Sequence, residues 1–390
     1  MSIFDIKVDR RNTNCVKWDE ARQDELPMWV ADMDFLAAPS IRKAIIDKAN
    51  VGAYGYSYTP IEYFLAYQSW WQRRHNVYMD TNWMMFSTGV VPAISSIVRK
   101  ITTPAENVLI LSPVYNIFYN SIYNNGRNIL CSNLVYKNGN YEVDYVDLEE
   151  KLKNPQTTLM ILCNPHNPIG HIWSKEELEK IGKLAYENNC IVLSDEIHCD
   201  IVKPGLEYTP FLSVNEECKN NSITCISASK CFNLAGLQSA CVVVPNKNLR
   251  HKVNRGLNTD EVAENNFFAV EATIAALNDS EDYLDELNLY IEENKKIVAS
   301  FIKDNDLKLT FTKPDATYLM WIDFSYYTND TDNLQAYLRK NALLYLSKGS
   351  SYGNNGNLFL RMNLATQKEN VIEGLNRLKK GLEMYKNIDL

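Results

Sequence analysis

Short apolar runs alternate with helical patterns of apolar and polar residues between about residues 85 and 245. Five runs are almost wholly apolar and are predicted as strands: 108–111, 158–163, 191–194, 223–226 and 240–244. Strands of this composition are typical of parallel sheets that are buried on both faces. Strands that alternate with helices along the chain build such sheets. The pattern therefore predicts an α/β fold with a mostly parallel sheet and helices on both sides.

The segment 174–188 is the clearest helix between these strands. Ser174 stands at its start and Glu177 follows three residues later, which is the spacing of a capping box. Apolar residues then recur at helical spacing along the segment. One side of this helix is therefore expected to cover the sheet.

The pattern changes after about residue 280. A long helix is predicted over 281–303, with further helices near 333–340 and 367–385. Strands are predicted at 317–324, 343–346 and 357–363. The first 45 residues lack a core of their own and are expected to pack against this α+β unit. We therefore predict a large domain, 46–280, and a small domain made of 1–45 and 281–390.

Composition and charge narrow the class of protein. The net charge of −8 and the absence of a dense Lys/Arg run argue against a nucleic-acid partner. No apolar stretch approaches the ~18 residues of a membrane span. The N-terminus has no signal-peptide pattern, and the nine cysteines include no C-x-x-C pair. These features predict a cytoplasmic protein with reduced thiols. No metal is predicted, because the spacing of His166, His171 and His198 fits no common site.

Lys230 is the most informative residue, because it follows the predicted strand 223–226 in the motif SASK. Asn167 and Asp195 follow two other predicted strands, and open α/β sheets bind ligands at the carboxyl ends of their strands. A pyridoxal phosphate site needs an amine for covalent attachment, an acid at the pyridine nitrogen, a donor to the ring oxygen and an anion site. Lys230, Asp195 and Asn167 are candidates for the first three roles.

Two residues near Asp195 are further candidates. Glu196 points the opposite way if the backbone is still extended, so Asp195 is favoured as the acid. His198 could reach the same region, although an isolated histidine is equally typical of a packed, hydrogen-bonded residue. Its role stays open from the sequence.

The phosphate is expected at the start of a helix after the glycine of the TGVV motif at 88–91. Free N–H groups of Gly89, Val90 and Val91 and the helix dipole would form an anion cradle. The Ser227 hydroxyl could add a donor. Tyr115 is a candidate to stack on the cofactor ring. Arg361, a charge inside the apolar run 358–363, is suited to bind a substrate carboxylate.

The chain resembles the fold-type I pyridoxal phosphate enzymes of the class I/II aminotransferase superfamily, and more narrowly the MalY/PatB group of C–S β-lyases. The resemblance runs nearly end to end. Its motifs are WVADMDF at 29–35, YGY at 54–56, TGVV at 88–91, SPVY at 112–115, NPHNPIG at 164–170, SDEIH at 194–198, SASK at 227–230, FNLAG at 232–236, ATYL at 316–319 and FLR at 359–361. The resemblance implies the fold of aspartate aminotransferase, with a large domain and a smaller α+β domain.

The resemblance also implies a role for each matching residue. Lys230 would carry the cofactor as a Schiff base, Asp195 would pair with the pyridinium nitrogen and Asn167 would donate to the ring oxygen. Tyr115 would stack on the ring, and Arg361 would hold the substrate carboxylate.

Three further positions bear on the family comparison. Tyr56 would reach the phosphate bound by a neighbouring subunit, which implies a homodimer with shared sites. Aminotransferases typically have a Tyr at the position of His198. Many of them also carry an Arg eight residues after the lysine, where this chain has Gln238.

The function implied is α,β-elimination from L-cystathionine or another S-substituted L-cysteine, which releases a thiol, pyruvate and ammonia. A pyridoxal phosphate-dependent aminotransferase is the alternative, because both reactions begin with the same removal of the α-proton. A third hypothesis is a non-catalytic protein that uses the fold to bind a regulatory partner. The sequence leaves these alternatives, and the identity of the thiol, open.

Overall fold

A computed structural model describes residues 2–386. The strands are β1 (Leu26–Pro27), β2 (Met84–Ser87), β3 (Asn107–Ser112), β4 (Asn128–Asn133), β5 (Val135–Lys137), β6 (Asn140–Glu142), β7 (Thr157–Cys163), β8 (Ile191–Asp195), β9 (Ser222–Ile226), β10 (Ala240–Val243), β11 (Thr310–Phe311), β12 (Leu319–Asp323), β13 (Leu344–Tyr345), β14 (Ser347–Lys348) and β15 (Phe359–Asn363).

The α-helices are α1 (Val16–Asp19), α2 (Pro39–Ala49), α3 (Ile61–His75), α4 (Val90–Ile101), α5 (Asn116–Tyr123), α6 (Tyr145–Leu152), α7 (Lys175–Glu187), α8 (Glu216–Asn220), α9 (Lys247–Thr259), α10 (Ala269–Asp279), α11 (Glu281–Asp304), α12 (Thr331–Tyr337) and α13 (Lys368–Lys386). A π-helical turn, Leu338–Ala342, continues α12. Short 3₁₀ helices are Ile3–Asp5, Thr81–Trp83, Phe211–Ser213, Ala235–Leu237, Gly349–Tyr352 and Asn354–Gly356.

A seven-stranded sheet forms the centre of the molecule, in the order β2-β10-β9-β8-β7-β3-β4. Strands β4, β3, β7, β8 and β9 pair in parallel, whereas β10 is antiparallel to both of its neighbours. All five strands predicted for this region are present. The sheet also contains β2 and β4, which the sequence pattern did not reveal. The predicted α/β class with a mostly parallel sheet is confirmed.

Helices cover the sheet on both faces, as the apolar strands require. Val108 and Ile110 pack in one core cluster together with α4, α5 and α9. Leu109 and Leu111, which alternate with them along β3, pack in a second cluster with α6 and α7. Because successive side chains of a strand point to opposite faces, both faces of β3 are buried.

Helix α7 begins with the predicted capping box. The Glu177 backbone N–H donates to the Ser174 hydroxyl at 3.1 Å. The Ser174 N–H donates to the Glu177 carboxylate at 2.8 Å. This reciprocal pair satisfies two N–H groups that have no partner within the helix.

The C-terminal part contains a four-stranded antiparallel sheet in the order β11-β12-β15-β14. The N-terminal segment contacts it, because β1 pairs in parallel with β13 and Leu26 packs in the same core cluster as β12 and β15. Phe4 and Phe35 instead pack in the cluster of Trp70. The N-terminal segment therefore contacts both parts of the molecule, and the division into two domains stays a prediction.

Between residues 2 and 386, no helix is both long and apolar enough for a membrane crossing.

Candidate active site

A cavity of about 230 Å³ lies beyond the carboxyl ends of β3, β7, β8 and β9. Each of these strands supplies one of the predicted residues to its lining, namely Tyr115, Asn167, Asp195 and Lys230. Parallel strands that end at one edge bring together side chains that are far apart in the sequence.

Lys230 follows β9, is half-buried and lines the cavity. The Nζ atom donates to the backbone carbonyl of Ala31 at 2.7 Å. Burial lowers the pKa of Lys230 to about 8, while the charges of Asp32 and Asp195 partly oppose that shift. The neutral amine, which is the nucleophilic form, is therefore accessible near neutral pH.

Asp195 ends β8 and faces the cavity. Its Oδ1 accepts a hydrogen bond from the Ile197 backbone N–H at 3.2 Å. Burial raises the pKa of Asp195 to about 7. A cation placed beside this carboxylate would favour its charged form.

Glu196 points away from the cavity, as the alternation of an extended chain predicts. Its carboxylate accepts hydrogen bonds from the Ser194 hydroxyl at 2.7 Å and the Phe211 N–H at 3.0 Å, and from the Tyr208 hydroxyl. These hydrogen bonds indicate that Glu196 stabilises the fold next to the cavity and does not face it.

Asn167 and Arg361 are in direct contact. The Asn167 side-chain oxygen accepts from Arg361 Nη1 at 3.1 Å, which leaves the amide N–H₂ of Asn167 available to the cavity. Arg361 lies in β15, donates through Nη2 to the Trp29 carbonyl at 2.9 Å and stands over the Tyr352 ring. Its buried Nε has no hydrogen-bond partner within residues 2–386. Arg361 itself does not line the cavity.

The start of α4, where the anion cradle is expected, lies at the cavity. Gly89 precedes the helix with a φ of 139°, and no side chain within residues 2–386 caps the helix N-terminus. A Cβ at this position would combine that unfavourable φ with a 3.3 Å contact to Pro92 Cδ. Gly89, Val90 and Val91 all line the cavity, so the free N–H groups of the first turn are near it.

The two serines of the SASK motif lie differently relative to the cavity. The Ser227 hydroxyl donates to the Ser239 carbonyl at 2.6 Å, and Ser227 does not line the cavity. Ser229, two residues later, does line it together with Gln238. The SASK motif gives no signal for which of its two serines lines the cavity, so the role predicted for Ser227 stays a prediction.

Tyr115 and His198 are the remaining predicted residues of the cavity. Burial raises the pKa of Tyr115 to about 12. Burial, together with the charges of Lys230 and Arg361, lowers the pKa of His198 to about 3, so the imidazole is neutral at neutral pH. The His198 Nδ1 has no partner among the described residues. The role of His198 stays a prediction.

Tyr56 lies outside the cavity of its own chain. It belongs to the segment 52–60, which has no regular structure, and its side chain is fully exposed.

The segment 29–33 is fixed by side chains from distant parts of the chain, and sequence reasoning missed this. Each of its five carbonyls accepts a side-chain hydrogen bond. The donors, in chain order, are Arg361 to Trp29, Asn363 to Val30, Lys230 and Tyr318 to Ala31, Asn363 to Asp32, and Arg10 and Asn233 to Met33. Backbone carbonyls give no signal in a sequence, so only the structure reveals this role.

The residues around the cavity fit pyridoxal phosphate. They provide a half-buried amine of lowered pKa, a buried carboxylate that forms no salt bridge with any residue between 2 and 386, an amide donor and a helix N-terminus. The orphaned polar atoms of His198 and Arg361 lie in the same region. Buried polar atoms are normally satisfied, so these atoms indicate a polar ligand.

Comparisons with known proteins agree with this geometry. Cystathionine beta-lyase PatB of Bacillus subtilis is 40% identical over 384 residues, which cover 97% of this chain and 99% of PatB. The crystal structure of cystalysin from Treponema denticola, which contains a pyridoxal 5'-phosphate cofactor, matches with a TM-score of 0.94 at 30% identity and covers 98% of each chain. The pyridoxal phosphate-bound C–S lyase from Staphylococcus hominis, complexed with L-cycloserine, matches with a TM-score of 0.92 at 32% identity and covers 98% of this chain and 99% of that one.

The family model for aminotransferase class I and II matches residues 25–378, which is most of the sequence. The chain belongs to the aminotransferase class I and II family.

Proposed function

We propose that this protein is a pyridoxal phosphate-dependent C–S β-lyase. It cleaves L-cystathionine or another S-substituted L-cysteine to a thiol, pyruvate and ammonia. The observation that carries the proposal is the half-buried Lys230 amine of lowered pKa, which shares one cavity with the buried Asp195 carboxylate. The 40% identity to cystathionine beta-lyase PatB supports the choice of reaction.

Lys230 has two tasks in this proposal. Its amine holds the cofactor covalently and, once the substrate amine has displaced it, removes the α-proton of the substrate. When bound, pyridoxal phosphate withdraws the electron pair that this proton leaves on the α-carbon. Because burial lowers the pKa of Lys230 to about 8, the amine can accept and release a proton near neutral pH.

Asp195 and Asn167 hold the cofactor ring. The Asp195 carboxylate would keep a proton on the ring nitrogen, and the free amide N–H₂ of Asn167 would donate to the ring oxygen. The N–H groups at the start of α4 and the Ser229 hydroxyl would bind the phosphate.

Arg361 is proposed to bind the substrate carboxylate. Its guanidinium is already oriented by the Trp29 carbonyl and the Asn167 side chain, so little rotamer freedom remains to be lost when a carboxylate binds. Paired N–H donors suit the two oxygens of a carboxylate.

Transamination is the competing reaction, because it needs the same proton removal. The two reactions are separated by incubating the cofactor-loaded protein with cystathionine alone and measuring thiol and pyruvate over time. A lyase releases both continuously. An aminotransferase stops after one turnover because no keto acid is present, and that result would overturn the proposal.

Variants test the assignment of the lysine. We expect Lys230→Ala to abolish thiol and pyruvate release. Lys295→Met is the matched control, because burial also lowers the pKa of Lys295 to about 8 although it does not line the cavity. A Lys230→Ala protein that retains turnover would contradict the mechanism. A wild-type protein that binds the cofactor without turnover would favour the non-catalytic binding hypothesis.

We further propose a homodimer in which Tyr56 of each chain reaches the phosphate site of the other. The support is the exposure of Tyr54, Tyr56 and Tyr58, three aromatic side chains in one segment without regular structure. Clustered exposed aromatic residues are typical of protein interfaces.

A cytoplasmic location is also proposed. All nine cysteines are free thiols, and seven of them are buried. Proteins of reducing compartments keep their thiols unpaired, which supports this location.

A further inference from the structure

A second cluster of reactive side chains lies behind the active-site cavity. His75 is the last residue of α3, and Cys199 and Asp200 lie in the loop after β8. One ligand atom from each lies within 4.8 Å of the other two. The Cys231 thiol extends the cluster, with its Sγ 3.7 Å from Asp200 Oδ2. The proposed lyase mechanism uses none of these four side chains.

We propose that His75, Cys199, Asp200 and Cys231 form a binding site for a thiophilic divalent cation such as Zn²⁺. Two thiols, one imidazole and one carboxylate are ligands that zinc accepts in four-coordinate sites. The ligand atoms of a tetrahedral zinc site lie about 3–4 Å apart, given the usual bond lengths. His75 Nε2 and Asp200 Oδ1 are 3.0 Å apart, which is one of the required separations. Cys231 Sγ lies 3.7 Å from the other carboxylate oxygen, Asp200 Oδ2, so it is the outermost of the four ligands.

The Asp200 carboxylate is held by hydrogen bonds from neighbouring side chains, as metal-binding carboxylates usually are. Trp70 Nε1 donates to Asp200 Oδ1 at 3.0 Å and to Oδ2 at 3.2 Å, and Asn288 donates to the Asp200 backbone carbonyl at 2.9 Å. Such contacts fix the orientation of a ligand and raise its affinity for the ion.

Two arginines stand near the cluster, and their charge is compensated by other residues. Arg74 pairs with Glu281 at 3.2 Å and with Asp285 at 2.7 Å. Arg73 pairs with the other oxygen of Glu281 at 3.3 Å. A cation at the cluster therefore meets guanidinium groups that are already paired with carboxylates.

An ion can reach the cluster from solvent. A cavity of about 410 Å³ is lined by His75, Cys199 and Asp200, together with Arg73, Arg74 and Glu207. This cavity is distinct from the one that Lys230 lines, and the two share no lining residue. A metal site needs such an entry path in addition to its ligands.

A metal ion bound at the cluster would join three separate segments of the chain next to the cofactor site. Cys199 and Asp200 follow His198, and Cys231 follows Lys230, so two ligand-bearing segments are continuous with the active-site lining. The third element is the end of α3. The bound ion would therefore cross-link these three segments and hold the segment that carries Lys230 in place.

Co²⁺ provides the test, because the absorbance spectrum of the bound ion depends on its ligands and coordination geometry. The cofactor-loaded protein, without substrate, is titrated with Co²⁺ and followed by difference absorbance. We expect one Co²⁺ per chain, with the intense red-region bands of a tetrahedral site and a thiolate charge-transfer band, both displaced by Zn²⁺. The weak spectrum of an octahedral oxygen-ligated ion, such as one bound to the cofactor phosphate, would overturn the proposal.

Variants assign the spectrum to residues. Cys199→Ser and Cys231→Ser should each weaken Co²⁺ binding at least about tenfold. Trp70→Phe should weaken it about tenfold, because the indole N–H no longer orients the Asp200 carboxylate. Cys218→Ser, at a buried thiol outside the cluster, is the matched control and should leave the titration unchanged.

His75→Gln is a second variant in case the serine variants fold poorly. Its amide can still donate to Asp200, but the imidazole ligand is lost. It should also weaken binding at least about tenfold. An unchanged Co²⁺ titration in His75→Gln, or an equal loss in Cys218→Ser, would overturn the site.

Discussion

At the scale of single residues, burial brings the pKa values of the two main active-site groups toward neutrality from opposite sides. The amine of Lys230 is lowered to about 8 and the carboxyl of Asp195 is raised to about 7. Desolvation disfavours the charged form of each group, so one cause explains both directions. These shifts lead to two predictions about the chemistry of the site.

The first prediction concerns pH. Only the neutral amine can attack the cofactor aldehyde, so covalent attachment of pyridoxal phosphate to the apoprotein should become faster as pH rises through about 8. Stopped-flow absorbance of the bound cofactor would measure the midpoint. A midpoint near that of an exposed lysine would contradict the burial argument.

The Asp32→Asn variant checks the sign of this effect. The charge of Asp32 raises the pKa of Lys230 and partly opposes desolvation. Removing it should therefore move the midpoint of attachment to lower pH, with the maximal rate at high pH unchanged.

The second prediction compares two adjacent carboxylates. Asp195→Asn should bind the cofactor but lose about 10²-fold or more in kcat, because the charge next to the ring nitrogen is lost. Glu196→Gln should leave kcat nearly unchanged and lower the free energy of unfolding by about 1–3 kcal/mol through its buried hydrogen bonds. Steady-state kinetics and denaturant unfolding of both variants would decide. Equal losses of kcat in the two variants would contradict the role of Asp195 at the ring nitrogen.

The sequence predicts a residue best where it stands directly after an apolar strand. Lys230 and Asp195 have that position, and the structure brings both to one cavity. Which of Ser227 and Ser229 lines the cavity depends on the directions in which a single turn orients their hydroxyls. No periodicity in the sequence predicts those directions. Ala31 offers only a backbone carbonyl, which every residue possesses.

At the scale of elements, position in the sheet and apolar character decide what the sequence reveals. The five predicted strands are buried and nearly uniform in apolar character. The two missed strands are the two edges of the sheet: β2 ends with Ser87, and β4 begins and ends with Asn. The antiparallel direction of β10 also has no counterpart in its composition, because a buried strand is apolar whichever way it runs.

The third prediction tests the capping box of α7. Ser174→Ala removes the side-chain acceptor of the Glu177 N–H and should lower the free energy of unfolding by about 1 kcal/mol. Activity should be unaffected, because α7 packs on the sheet away from the cavity. Ser174→Thr, which keeps the acceptor, is the control. Thermal unfolding of both variants alongside lyase assays would measure the difference.

At the scale of the whole molecule, the proposed dimer leads to a fourth prediction. Lys230→Ala and Tyr56→Ala homodimers should each be impaired. Mixed after dissociation and reassociation, they should recover about a quarter of wild-type activity, because half of the dimers would be mixed and each would contain one intact site. If Tyr56 served its own chain, mixing would restore nothing. Sedimentation of the wild-type protein as a monomer would also contradict the proposal.

The segment 29–33 has a consequence for how the protein is made. Its Trp29 carbonyl is held by Arg361, 332 residues away in the sequence, and Asn363 holds two more carbonyls of the segment. A ribosome must therefore synthesise nearly the whole polypeptide before the segment 29–33 can be held in place. Until then, Lys230 of the nascent chain lies in an incomplete cavity. Premature termination shortly before Arg361 would leave the whole seven-stranded sheet translated but the segment 29–33 without its partners Arg361 and Asn363.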